Sequence, residues 1–178
     1  MNTANKLTML RVALIPVFLI LLYLRFPFHM YFALTVFILA SVTDFVDGYI
    51  ARHWNMVTDF GKFMDPLADK VLVMAALLWF VEAGRLPAWV LLVVIVREFA
   101  VTALRLIAVE RGRVIAAAWS GKVKTASTMV CIVLMFLPIP PVLNTVCCWV
   151  ITLTTLYSGV EYRESLKRLS IFNPTTCV

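Results

Sequence analysis

The chain has 178 residues, of which 62% are hydrophobic and 15% charged, where an ordinary soluble domain carries roughly 45–50% apolar and about 25% charged residues. Together with a mean hydropathy of +0.94, this excludes an ordinary soluble domain and predicts an all-α integral membrane protein. The formal charge of +6, from 16 Lys and Arg against 10 Asp and Glu, comes without a basic-aromatic module, so it points to cytoplasmic loops and anionic headgroups rather than to a nucleic-acid partner.

A spanning helix needs about 20 mostly apolar residues, so the chain has room for about six in one membrane-embedded domain, residues 1–178, with no separate soluble domain. Hydropathy places the spans at Val12–Leu24, Tyr31–Ala51, Asp65–Val81, Pro87–Val109, Thr125–Leu137 and Val142–Tyr162. The basic stretch Met1 to Arg11 precedes an apolar run without a small-residue cleavage site before Arg25, so the first span is expected to be retained. Turns are expected at Arg25–Met30, Gly84–Pro87 and the proline-rich Pro138–Pro141.

Six spans put both termini on one side. One orientation collects Lys6, Arg11, Arg52, Lys62, Lys70, Arg111, Arg113, Lys122, Lys124, Arg163, Lys167 and Arg168 there and leaves only Arg25 and Arg85 opposite. The positive-inside rule then predicts a multi-pass protein of the cell (inner) membrane, with termini and acidic stretch in the cytoplasm. Cys131, Cys147, Cys148 and Cys177 show no CxxC spacing, and no metal or disulfide framework is expected of them. No internal repeat is visible, unlike many carriers, which are built from repeated halves.

All five aspartates fall between residues 44 and 69. Ionisable groups at membrane depth are costly and functional by default. The order is Asp44-x-x-Asp47-Gly48-x-x-Ala51-Arg52, then Gly61-x-x-x-Asp65-x-x-x-Asp69. Spacings of three and four share a helix face, so one carboxylate pair projects from the second span and one from the third. Such carboxylates would repel one another unless neutralised, and hard oxygen ligands suit magnesium or manganese, which predicts a site for two divalent ions. Gly48 and Gly61 would let a bulky ligand approach the backbone, and Arg52 offers a planar fork for phosphate. The bland alternative makes Asp44 or Asp59 helix caps and Asp65 a cap ahead of Pro66 at the first helical position.

The run of Asp44, Asp47, Gly48, Ala51, Arg52, Gly61, Asp65 and Asp69 resembles the signature of the CDP-alcohol phosphatidyltransferase family, with every position filled. The resemblance implies a six-span bundle in which an alcohol displaces CMP from a CDP-linked lipid. It implies Asp44, Asp47 and Asp65 as ligands of two Mg2+ or Mn2+ ions, and Asp69 as a further ligand or as the base that takes the alcohol proton. It also places Gly48, Arg52 and Thr58 near the cytidine diphosphate, with Asn5 and Thr8 at the start of the first span; Asn5 and Thr8 read equally as an N-terminal cap. The family usually has proline before that asparagine, where this chain has Ala4. A homodimer is expected by resemblance alone.

A second basic set, Arg97, Arg105, Arg111, Arg113, Lys122 and Lys124, lies on or around the fourth and fifth spans. Arg97 with adjacent Glu98 falls deep in the fourth span, where an unpaired charge would be costly. Cationic ligands favour an acceptor that already carries phosphate, with Arg113, Lys122 and Lys124 foremost and Arg105 beside them. The stretches Asn5-Lys6-Leu7-Thr8, Arg97 to Arg105 and Gly121 to Thr125 are similar to those of family members that join CDP-diacylglycerol to sn-glycerol 3-phosphate. Inositol phosphate, serine and phosphatidylglycerol are alternative acceptors, and a divalent-cation carrier is the alternative from another class.

Overall fold

A computed structural model describes the backbone of residues 3–24, 26–53, 59–110 and 119–168, and side chains over 13–24, 26–43, 70–104 and 119–162. Among the described residues the elements are six helices: α1 Thr3–Tyr23, α2 His29–His53, α3 Asp59–Glu82, α4 Ala88–Glu110, α5 Trp119–Phe136 and α6 Pro141–Arg168. Helix number and order match the six expected segments. Among the described residues, Pro141–Tyr162 is the one stretch long and apolar enough to cross a membrane, and Ala13–Tyr23 and His29–Thr43 are shorter apolar stretches.

The three expected turns follow their residue chemistry. Gly84 adopts φ 69° just past the end of α3, where the Ala83 amide donates to the Trp79 carbonyl at 2.8 Å, and only glycine enters that conformation without cost. Pro141 opens α6 as its first residue, a position where the missing amide hydrogen is not needed. Between α1 and α2, Phe28 takes φ 68°.

At their other ends the helices outrun the apolar segments. α1 begins at Thr3 and α3 at Asp59, because the backbone ladder tolerates the charged residues at which hydropathy stops. Two cap readings are thereby corrected. Asn5 and Thr8 lie inside α1, and Asp65 and Pro66 lie inside α3, so none of them occupies an N-cap, whereas Asp59 does stand at a helix start. Asp44 likewise lies within α2.

The chain forms two compact units, Met1–Ala83 with Val133–Pro138, and Gly84–Ile132 with Ile139–Val178. In the first, α1 packs on α2 and α3, and α2 on α3. Ala33, Ala40 and Ala76 are fully buried, and such small side chains let helix backbones approach closely. An aromatic cluster fills its core: the Phe136 ring lies 4.8 Å from Phe80, 6.1 Å from Phe18 and 6.2 Å from Phe37, and stacks on Trp79 at 6.1 Å. Tyr23 donates to Glu82 at 2.5 Å, joining the ends of α1 and α3.

In the second unit α4 packs on α6. Trp89 meets Trp149 and Arg97 meets Ser158, so these two helices run parallel. Ser127 of α5 donates to Thr154, while Arg97 borders both Gly121 and Gly159, so α5 runs antiparallel to α6. The interior is graded along these axes. Cys131, Ile132, Cys147 and Cys148 are buried toward one end, and Ser120, Lys124, Thr128, Thr155 and Ser158 toward the other.

Candidate active site

The acidic signature falls on α2 and α3 of the first unit. α2 is continuous helix through positions 44, 47, 48 and 52, and α3 through 61, 65 and 69. Helix periodicity therefore keeps positions 44 and 47 within one turn, and positions 65 and 69 likewise, as a carboxylate-pair site requires. The side chains of Asp44, Asp47, Gly48, Arg52, Gly61, Asp65 and Asp69, with those of Asn5, Thr8, Arg105 and Arg113, lie outside the described residues, as does Thr58. Among the described residues no group of three His, Cys, Asp or Glu side chains is placed to hold a metal ion.

The second basic set is resolved in part, and its two foremost lysines separate. Lys122 is exposed, its ammonium 5.9 Å from the Trp119 ring centroid. Lys124, two residues on and so about 200° around the helix, is buried at 4% exposure with its Nζ donating to Glu98 Oε1 at 2.7 Å. The same carboxylate oxygen accepts from Arg97 Nη1 at 3.0 Å, and Arg97 Nη2 donates to Ser158 Oγ on α6.

Two glycines border Arg97. A Cβ at Gly121 would stand 3.6 Å from Arg97 Nη2, and one at Gly159 would stand 3.8 Å from its Cγ. The costly charge expected in the fourth span is thus partnered across three helices. Arg97 Nε, Ser120 Oγ and Thr128 Oγ1 are buried without a hydrogen-bond partner among the described residues. By contrast, Thr152 and Thr155 satisfy themselves on the carbonyls four residues back, at 2.8 and 2.6 Å, the usual solution for a hydroxyl inside an apolar helix.

Comparison with known proteins decides the family. The CDP-alcohol phosphatidyltransferase family profile matches residues 1–157. The chain is 42% identical over 180 residues to the CDP-diacylglycerol–glycerol-3-phosphate 3-phosphatidyltransferase of Bacillus subtilis, covering 90% of this chain and 93% of that one. It is 41% identical over 167 residues to a probable phosphatidylglycerophosphate synthase of Mycobacterium tuberculosis, covering 90% and 79%. With the similarly named Escherichia coli protein it shares 42% identity over 134 residues, covering 72% and 73%. The chain belongs to the CDP-alcohol phosphatidyltransferase family.

The family match takes in both the acidic signature and the Arg97–Glu98–Lys124 cluster. Sequence reading singled out Arg97, Glu98 and Lys124 but did not join them, because the Glu98–Lys124 pair is 26 residues apart in the chain. Ser158 and Gly159 were not foreseen. The available signal was their register: on α6, Ser158 and Gly159 follow the buried Thr155 by three and four residues, the spacing of a shared helix face.

Proposed function

We propose that the protein transfers a phosphatidyl group from CDP-diacylglycerol to sn-glycerol 3-phosphate, giving phosphatidylglycerophosphate and CMP in phospholipid biosynthesis. The observation that carries this reading is 42% identity over 90% of the chain to a relative named for that reaction, together with the complete eight-position signature. The protein acts as a multi-pass bundle of the cell membrane, with termini and active site on the cytoplasmic side and a homodimeric assembly. The composition and the one-sided distribution of basic residues support the membrane placement.

The donor set fits a pair of hard divalent cations. Four carboxylate positions at intervals of three and four lie on two continuous helices that pack on each other within one unit, and oxygen-rich sites suit Mg2+ or Mn2+ over softer metals. Asp44, Asp47, Asp65 and Asp69 would hold them. When bound, the ions supply charge neutralisation for the departing CMP.

The chain's own residues do the rest. Gly48 and Gly61 leave room for the pyrophosphate, Arg52 grips it through a bidentate fork, and Asn5, Thr8 and Thr58 hydrogen-bond the cytidine diphosphate. Arg105, Arg113 and Lys124 bind the phosphate of the acceptor, which presents its free hydroxyl. The hydroxyl oxygen forms the new P–O bond, the bond to CMP breaks, and Asp69 accepts the hydroxyl proton.

Release of CMP from CDP-diacylglycerol by the purified protein in detergent with magnesium tests the reading, with glycerol 3-phosphate, inositol phosphate, serine and phosphatidylglycerol as acceptors. Turnover with glycerol 3-phosphate alone, lost in Asp69→Asn, is the expected result. Turnover with another acceptor replaces the substrate, and cation flux into vesicles without any CMP release replaces the class.

A further inference from the structure

The ammonium of Lys124 is not free to wander. It sits at the end of a hydrogen-bonded series that starts on α6 and ends on α5: Ser158 Oγ, Arg97, Glu98 Oε1 and Lys124 Nζ. Arg97, the second member, is bounded by packing as well as bonding, since a Cβ built on Gly121 or Gly159 would stand in van der Waals contact with its side chain. Side-chain exposure along the series is low: 12% for Arg97, 14% for Glu98 and 5% for Lys124.

We propose that Glu98 is a positioning residue for the phosphorylated acceptor, holding the Lys124 ammonium in one orientation so that its remaining donors meet the acceptor phosphate. The inference rests on the assignment of Lys124 to the acceptor and adds a residue of opposite charge to it. Lysine has a long flexible stem, so a lone ammonium has many orientations open to it. One carboxylate oxygen at 2.7 Å removes that freedom while engaging one of three ammonium hydrogens.

Charge alone predicts the opposite outcome. Arg97, Glu98 and Lys124 sum to +1, so neutralising Glu98 makes the cluster more cationic and would strengthen binding of a phosphate dianion if Glu98 only diluted the field. If Glu98 positions Lys124, the same substitution weakens that binding. The sign of the change therefore decides between the two roles.

The experiment measures kcat and the separate KM values for glycerol 3-phosphate and CDP-diacylglycerol, using the full-length protein in detergent with magnesium. The variants are Glu98→Gln, Glu98→Asp, Lys124→Ala and the double variant Glu98→Gln with Lys124→Ala. Glu98→Gln is expected to raise KM for glycerol 3-phosphate about tenfold or more, the loss typical when a residue that orients a ligating side chain is removed. KM for CDP-diacylglycerol should stay within about twofold, Glu98→Asp should recover part of the loss, and Glu98→Gln should add little once Lys124 is alanine.

An unchanged or lower acceptor KM in Glu98→Gln overturns the proposal, as does an equal rise in both KM values or a full effect in the Lys124→Ala background. Should Glu98→Gln fail to fold, Glu98→Asp keeps the charge and shifts the oxygen, and a wild-type acceptor KM in that variant overturns the proposal equally. If Lys124→Ala leaves the acceptor KM unchanged, the assignment of Lys124 falls first and takes the role of Glu98 with it. A rise in Lys124→Ala without one in Glu98→Gln defeats only the positioning role.

Discussion

Phe136→Ala is expected to be the most damaging single truncation in the first unit. The Phe136 side chain is 2% exposed and its ring is shared by Phe18, Phe37, Trp79 and Phe80, so the last turn of α5 is fastened by it to α1, α2 and α3 at once. In a lipid-like surrounding the transfer term is small, because the alternative environment is itself apolar. What remains is packing: a lost ring leaves on the order of 100 Å3, which at about 24 cal/mol per Å3 comes to roughly 2.4 kcal/mol. The ring contacts add to this without being additive among themselves, and the total comes to the range usual for Phe→Ala in a core, about 3–5 kcal/mol. Thermal unfolding in detergent, followed by tryptophan fluorescence, should then show a midpoint lower by roughly 6–20 °C. Phe136→Leu, which restores most of the volume, should recover most of the loss, and Leu153→Ala, on a side chain 59% exposed, should cost under about 0.5 kcal/mol. A Phe136→Ala midpoint within about 2 °C of wild type would refute the reasoning.

Chelation with EDTA should abolish CMP release, and readdition of Mg2+ or Mn2+ should restore it; Asp44→Asn or Asp65→Asn should abolish metal-dependent turnover, and normal turnover in either variant would dismiss the two-ion assignment. Lys124→Ala should raise the acceptor KM by about 10–100-fold, from the loss of a charge-assisted hydrogen bond worth roughly 1.5–3 kcal/mol. Lys122→Ala should change it far less, because that side chain faces out over Trp119. Gly159→Ala should be tolerated and add up to about 1 kcal/mol of stability, since its methyl would meet Arg97 Cγ at an ordinary 3.8 Å; a lower unfolding midpoint would contradict that geometry.

Helix order and turns were legible because proline, glycine and apolar run length act locally: Gly84 at positive φ and Pro141 at the first position of α6 need no knowledge of the rest of the chain. Helix starts were less legible. Hydropathy marks where apolar residues begin, whereas the backbone ladder of α1 and α3 starts earlier, at Thr3 and Asp59. The acidic pattern could be read because it lies in short spacings within two helices. The partner of Lys124 could not, since it comes from another helix and only packing brings the two together.

The divergence of Lys122 and Lys124 shows how far a local pattern carries. Two lysines in the stretch Gly121 to Thr125 suggest a joint phosphate grip, yet a separation of two on a helix turns the side chains to nearly opposite faces. Burial then sorts them. The exposed lysine can answer to solvent, an aromatic ring or a headgroup, and loses little if it moves. The buried one must be compensated, and Glu98 compensates it with an oxygen it also shares with Arg97. Thr152 and Thr155 of α6 close their hydrogen bonds on their own helix, so they ask nothing of a ligand. The charges of Glu98 and Lys124 meet across helices, and a substitution at Glu98 should therefore be felt first at Lys124 and Arg97.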